Sequence, residues 1–309
     1  MRVAVVGTGG FAKHFIDELA AVGLEVVVLT RSHKAFLGDK AGVVGQRITD
    51  YSSVPQLVEI LSDCEALVSA TSDVSEVCVN VNLALVEACK QTPKCKRFIP
   101  SGYSGNVEGD YREGPDSAFR YDAIVRDALK EQNELEWTAL SVGWILDYIV
   151  PSINRYHVDS GPLFPLDLNT KTMVIPGTGN EVFSATSVRD VAKVVACLLK
   201  SPKKWHQHTY VQGVQTTWLQ LANAVKTVGA VPDLKVSFES IHEIREQLAK
   251  KESALSAITA ELKLFVPTGR MTLDQAKVQR DRAEFFPNIH FRTPEELLEA
   301  VKKDPKVIV

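Results

Sequence analysis

The sequence predicts an α/β fold: a doubly wound parallel sheet joined to a smaller α+β lobe. Three observations predict it. Short runs rich in Val, Ile and Leu alternate with amphipathic stretches through residue 143. A glycine-rich turn follows the first of these runs at once. After Gly143 the alternation stops and Pro151, Pro162, Pro165 and Pro176 follow in close succession. Parallel strands need helical crossovers, and right-handed crossovers cover both faces of the sheet.

The elements read in order. "RVAVVG" is a buried strand, and a helix follows over 10–22. "EVVVLTR" is the second strand and "QRIT" a weaker third, with a helix at 53–62 after it. "ALVSAT" is the fourth, leading to a long helix over 75–91. "KRFIPSG" is the fifth, a helix covers 118–132, and "WTALSVG" is the sixth. In the second half, "KTMVIPG" and "HTYVQG" read as strands. "SVRDVAKVVACLLK" is a strongly amphipathic helix with Thr186 or Ser187 as its cap, and "TTWLQLANAVKTVG" is another helix. The polar run "LAKKESALS" is a solvated helix face or a loop. Residues 1–143 are expected to form the nucleotide domain, with 186–212 threading back into it. Residues 144–185 and 213–309 then make the substrate lobe.

Composition narrows the function. The 309 residues are 45% hydrophobic and 24% charged, with a formal charge of -3, so no basic face is expected for nucleic acid. No apolar run has the length of a membrane span. The five cysteines form no C-x-x-C pair, and the chain opens directly on a strand. A reduced, cytoplasmic protein without a cleavable signal segment is therefore expected, as a monomer or homodimer. His206 and His208 share a strand face, but no Cys, Asp or Glu clusters beside them, so no metal site is expected.

The turn "VVGTGGFAKHF" reads Gly7-x-Gly9-x-x-Ala12. Gly7 allows the tight turn, Gly9 lets backbone N–H groups approach a pyrophosphate, and Ala12 lets helix and strand pack closely. Thr8, Gly10 and Phe11 complete the loop, and the helix end contributes partial positive charge. The second strand ends in "LTRSHK". Arg31, with Ser32 and Lys34 beside it, stands where an NAD site has an acidic residue. A guanidinium suits a 2′-phosphate, so NADP(H) is the expected cofactor; the plainer reading is a surface charge at a strand end. Ligands lie beyond the carboxyl ends of parallel strands. That nominates Ala70, Thr71 and Ser72 after strand four, Ser101, Gly102 and Tyr103 after strand five, and Val142 and Gly143 after strand six. Trp144 and Tyr148 are the candidate substrate contacts, and Tyr156, Phe164 and Trp218 are further aromatics for a flat small-molecule substrate. The polar stretch 104–118 is a candidate lid.

The segments "GTGGFAKHF", "LTR", "KRFIPSG", "EWTALSVGWILDYIVP" and "VIPGTGNEVFSATSVRDVAKVVACLL" resemble the NmrA-like, isoflavone-reductase-like branch of the atypical short-chain dehydrogenases. The resemblance implies a Rossmann-like domain, NADP(H) binding and a variable substrate lobe. It also implies reduction of phenolic or heteroaromatic natural products, although some members of the family only sense the cofactor. The family's reductases place a lysine in a context similar to "K-x-x-V-R-R-A". Here that context falls on "DAIVRDAL", with Asp122 at the lysine position and Tyr121 beside it. Lys130 lies two turns further on. Asp122 is a candidate base or a partner for a cationic substrate, and Tyr121 and Tyr103 are candidate proton donors. The plainer readings are a helix-start carboxylate for Asp122 and a packing residue for Tyr121.

Two functions follow. One is an NADP(H)-dependent oxidoreductase of natural-product metabolism acting on an aromatic or alkaloid-like imine, iminium or enone, with ring closure steered in the same pocket. The other is a silent cofactor-sensing regulator that binds a partner protein. An open aromatic pocket favours the first, and a filled cleft with an exposed apolar patch the second.

Overall fold

The computed structural model describes residues 1–71, 75–108 and 120–309. Its first half runs β1 (Arg2–Val6), α1 (Gly10–Ala21), β2 (Glu25–Thr30), β3 (Val43–Ile48), α2 (Val54–Leu61), β4 (Ala66–Ser69) and α3 (Glu76–Gln91). Next come β5 (Arg97–Ile99), α4 (Arg120–Lys130) and β6 (Glu136–Trp137). These six strands form one parallel sheet in the order β3-β2-β1-β4-β5-β6.

The two-residue period of the strands sorts the core into two layers. Val3, Val5, Val26, Val28, Ala66 and Val68 face the layer that holds Phe15, Ile16 and Leu19 of α1. Ala4, Val6, Val27, Leu29 and Leu67 face the other layer, with Leu57 and Leu61 of α2, Leu85 and Val86 of α3, and Val125 and Leu129 of α4. A strand covered on both faces carries apolar side chains in both directions, hence the unbroken runs in the sequence. Ser53 and Ser75 cap α2 and α3 by accepting the N–H groups of Gln56 and Cys78.

"WTALSVG" is not a single strand. β6 pairs with β5, but the chain changes partner at Thr138, and β7 (Ala139–Ser141) pairs in parallel with β12 (His208–Tyr210). The hydroxyls of Thr138 and Thr209, 2.8 Å apart, mark the changeover. Between these strands lie β8 (Trp144–Ile145), β9 (Leu166–Asp167), β10 (Thr172–Pro176), β11 (Phe183–Thr186) and α5 (Val188–Lys200). Helix α5 packs along α1 through Val191, Val194, Val195 and Leu198, all fully buried. The chain closes with β13 (Val214–Thr216), α6 (Trp218–Thr227), β14 (Lys235–Glu239), α7 (Ile241–Lys250), α8 (Ala254–Phe265), α9 (Gln275–Phe285) and α10 (Pro294–Lys303). The run "LAKKESALS" joins α7 to α8, with Ser253 in a capping box. No helix among the described residues is long and apolar enough to cross a membrane.

Ser187 sits at the N-cap of α5 as expected, but its side chain does not cap. Fully buried Asp147 does so instead, accepting the Val188 N–H at 3.0 Å and the Ser187 hydroxyl at 3.4 Å. Burial pushes the Asp147 carboxyl up to about 6. Arg292 completes the cluster, donating to Ser187 Oγ at 2.5 Å and to the buried Asp190 carboxylate at 3.1 Å.

Gly143 shows how closely the two halves of the chain meet. Its φ is +70°, and a Cβ there would lie 2.0 Å from the Ser184 carbonyl oxygen of β11. Gly23 also has positive φ (+80°), but nothing lies within 4 Å of its Cβ position. Gly143→Ala should therefore cost about 3 kcal/mol or more, and Gly23→Ala about 1 kcal/mol, in urea unfolding. Equal losses would show that backbone conformation, not the approach of β11, makes Gly143 necessary.

Candidate functional site

The carboxyl ends of β1, β4 and β5 meet at one edge of the main sheet, and the site is built there. In the β1–α1 turn Gly7 has φ +103°, and its Cβ position is 3.0 Å from the Ala70 carbonyl oxygen. Gly9 is the N-cap of α1, with no side-chain cap and no acidic residue in the first turn of the helix. Its Cβ position faces open space. The leading N–H groups of α1 thus remain free for an anion. Ala12 is fully buried against the sheet.

Two cavities meet at Gly9, Ala70 and Thr71. The first, about 300 Å³, extends over the end of β2 between Thr30, Arg31, Lys34 and Tyr51. Exposed Arg31 has no carboxylate partner among the described residues. Ser32 does not line this cavity; its hydroxyl accepts from Lys34 Nζ at 3.0 Å. Cys78, Val81 and Tyr51 do line it and were not foreseen. Tyr51 is buried, with its hydroxyl donating to the Leu29 carbonyl at 2.8 Å. A dinucleotide with a 2′-phosphate fits this arrangement: an uncapped helix end for the pyrophosphate, glycine clearance above it, and two cations at the far end.

The second cavity is a cleft of about 770 Å³, lined by Phe11, Ser101, Gly102, Tyr103, Asp122 and Tyr148 among others. Thr71 Oγ1 lies 3.0 Å from Ser101 Oγ and accepts from Asn82 Nδ2 at 3.1 Å, which ties β4, β5 and α3 together at its floor. Phe11 and Tyr103 stack with ring centroids 5.2 Å apart. Asp122, in the first turn of α4, lies against the Gly102 backbone. A Cβ on Gly102 would stand 3.0 Å from the carboxylate carbon. Desolvation raises the Asp122 pKa above the ordinary carboxylate value, and Arg126 one turn later partly offsets this.

The other wall is the segment from Arg155 to Leu163. Tyr156 docks on α1, with its hydroxyl donating to Asp17 at 2.9 Å and its ring against His14 at 4.7 Å. Burial holds His14 neutral, with its pKa pushed down to about 2. The His157 main chain lies over Gly10, where a Cβ would come within 2.8 Å of the His157 backbone nitrogen. Arg155 secures the segment: it donates to the Val150 carbonyl at 3.3 Å and the His157 carbonyl at 2.7 Å, pairs with Asp159, and lies over the Tyr148 ring. Sequence reasoning missed both Arg155 and His157. Nothing in "PSINRYHVDSG" distinguishes a buried guanidinium from a surface one. Behind Tyr148 a further cavity of about 410 Å³ opens against Phe164, Ile153 and Leu168.

Several expected positions fall elsewhere. Val142, Gly143 and Trp144 do not line the cleft. Val142 is fully buried and its carbonyl accepts the Thr186 hydroxyl, while Gly143 is held against β11. Trp144 packs between Phe164 and Trp218, each 5.9 Å away. Trp218 is itself fully buried. The loop after the sixth strand is occupied with joining the two halves of the chain. Tyr103 lines the cleft, but its hydroxyl donates to the Ser69 carbonyl at 2.8 Å, and burial raises its pKa well above the ordinary value. It serves as a wall rather than as a free acid. Lys130 is exposed and pairs with Asp127 at 3.5 Å, away from the cleft. His206 Nδ1 donates to the Asp281 carboxylate at 2.9 Å, and His208 packs edge-on to Trp137. Ser72, the Tyr121 side chain and most of the candidate lid lie outside the described residues.

The sequence model of the NmrA-like family matches residues 1–298. An oxidoreductase named swnR from Arthroderma benhamiae is 35% identical over 310 residues, covering all of both chains. Its counterpart from Metarhizium robertsii is 33% identical over the same length and full coverage. The solved structure of AtPrR2 with NADP+ and (+)pinoresinol superposes with a TM-score of 0.75 at 22% identity, covering 97% of this chain and 98% of that one. This last likeness is one of fold.

The glycine loop separates ligand clearance from internal packing. Gly9→Ala should leave the stability of the free protein within about 0.5 kcal/mol but weaken dinucleotide binding at least about tenfold. Gly10→Ala should lower the melting temperature by displacing the 155–163 segment. Calorimetric melting of both variants with and without NADPH checks this, and a stable Gly10→Ala variant would contradict the placement of His157.

Proposed function

The chain belongs to the NmrA-like family, and from that premise we propose that it is an NADP(H)-dependent oxidoreductase acting on a cationic imine-type small molecule of natural-product metabolism. Support for the cofactor comes from the uncapped α1 end, the clearance at Gly9, the two cations at the end of β2, and the NADP+ held by AtPrR2 in its pinoresinol complex. Support for redox chemistry comes from the two oxidoreductases that match along the whole chain. Residues 1–143 with 186–212 would form the cofactor lobe, and the remainder the substrate lobe. We place the protein in the cytoplasm, in keeping with its five free cysteines.

The observation that carries the substrate class is Asp122, a carboxylate lining the aromatic cleft; the motif resemblance gives it the place of the family's lysine. When bound, NADPH supplies a hydride. In this proposal Gly9, Gly10 and the first turn of α1 hold the phosphates, and Arg31 and Lys34 hold the 2′-phosphate. Phe11 and Tyr103 form a flat wall, and Tyr148 and Tyr156 enclose the opposite side. Asp122 draws the positive end of an iminium into the cleft by charge complementarity in a partly desolvated site. Hydride addition to an iminium carbon yields a neutral amine, so no lysine is needed to deliver a proton. Closure of a protonated secondary amine onto a carbonyl with loss of water produces such a cyclic iminium, and a cleft of about 770 Å³ can hold the folded precursor. The open aromatic cleft favours this enzyme over a cofactor-sensing regulator.

N-Methyl-3,4-dihydroisoquinolinium is a suitable probe because its charge does not titrate. Loss of reduced-nicotinamide absorbance should rise with pH, following ionisation of Asp122 above the ordinary carboxylate range. Asp122→Asn should lower kcat/KM by about a hundredfold, flatten that pH profile and leave NADPH affinity unchanged. Full turnover by the asparagine variant would remove Asp122 from the reaction.

A further inference from the structure

The cavity over the end of β2 is lined by Arg31 and Lys34, and the Lys34 backbone is held from another strand. Gln46 stands on β3, the edge strand, in register with Val28 of β2. Its side-chain oxygen accepts the Lys34 N–H at 2.8 Å, and its Nε2 donates to the Lys34 carbonyl at 3.0 Å. The same Nε2 lies 3.3 Å from His33 Nε2. Thr30 Oγ1 completes the bracing, donating to the Ser32 carbonyl at 3.0 Å. Gln46 does not line the cavity.

A primary amide can donate and accept hydrogen bonds at once. The pair holds the peptide groups on both sides of the Lys34 Cα, and with them the direction in which the ammonium leaves the loop. Arg31, three residues earlier, is held in the same short span without a carboxylate to neutralise it. Two cations kept close without an acidic partner repel each other, and a phosphate dianion between them relieves the repulsion.

We propose that Gln46 is the positioning residue that sets discrimination for the 2′-phosphate, and hence for NADPH over NADH. The inference rests on the NADP(H) reading above and assigns part of its selectivity to a residue outside the pocket. Without the amide, Lys34 loses its orientation and the phosphate loses one charge-assisted contact, whereas the rest of the cavity, lined by Tyr51 and Gly7, is unaffected.

The test measures binding alone, by isothermal titration of the whole chain with 2′,5′-ADP and with 5′-AMP. Gln46→Met keeps the side-chain length and removes both hydrogen bonds, and Gln46→Leu is a second variant should Gln46→Met not fold. The wild type should prefer 2′,5′-ADP. In the variant the 2′,5′-ADP Kd should rise about tenfold while the 5′-AMP Kd stays within about twofold. Retained 5′-AMP binding shows that the site is folded. A wild type that binds both ligands equally would overturn the NADP(H) preference itself. A wild type that prefers 2′,5′-ADP, with a variant that keeps the same ratio of constants, would overturn the role of Gln46 and leave the cofactor reading standing.

Discussion

All six strands of the main sheet run in one direction, and this decides where a site can form. Parallel pairing brings the carboxyl ends of β1, β4 and β5 to a single edge, so Gly7, Ala70, Thr71, Ser101 and Gly102 meet although up to 95 residues separate them in sequence. The turns at that edge have little room. Gly7 lies against the end of β4, and Gly102 against Asp122 of α4. The open volume that remains follows one line, from the end of β2 across the α1 N-terminus to the aromatic cleft. A long, thin ligand with a charged middle suits that line.

The second half of the chain is held to this edge by buried polar chemistry. Asp147 caps α5 from outside the helix, and the half-buried Arg292 links Ser187 to Asp190, which with Asp147 are closed to water. Removing one member would leave its partners unsatisfied in the interior, which costs more than the bond contributed. The same network fixes where residues 148–163 leave the core, and so where Tyr148, Tyr156 and His157 stand. The architecture of the cleft depends on charges far from any reacting atom.

The parallel sheet and the glycine turn were legible in the sequence because strand burial and tight-turn geometry leave local signatures. That Arg31 and Lys34 stand just beyond the second strand was legible too, but the direction of Lys34 depends on Gln46 of β3. Val142, Gly143 and Trp144 were misplaced because a loop after a strand reads the same whether it faces a ligand or another strand. Only the approach of β11 to Gly143 distinguishes the two. Asp122 could be located by its place in a motif, but its setting against Gly102 belongs to tertiary packing. Arg155, His157 and Gln46 act through main-chain partners that are non-local or carry no mark of their own in sequence.

The contact between Gly10 and the His157 backbone gives the two ends of the cleft a shared history. A β1–α1 turn transplanted from a relative to alter phosphate binding would carry with it a fixed height for the substrate wall. Positions 10 and 157 therefore behave as one heritable unit, and lineages that vary the wall should keep glycine at position 10 or move the whole 155–163 segment outward. Comparative sequencing or recombination of homologous halves would show this as a junction that tolerates exchange only when both pieces come from the same parent.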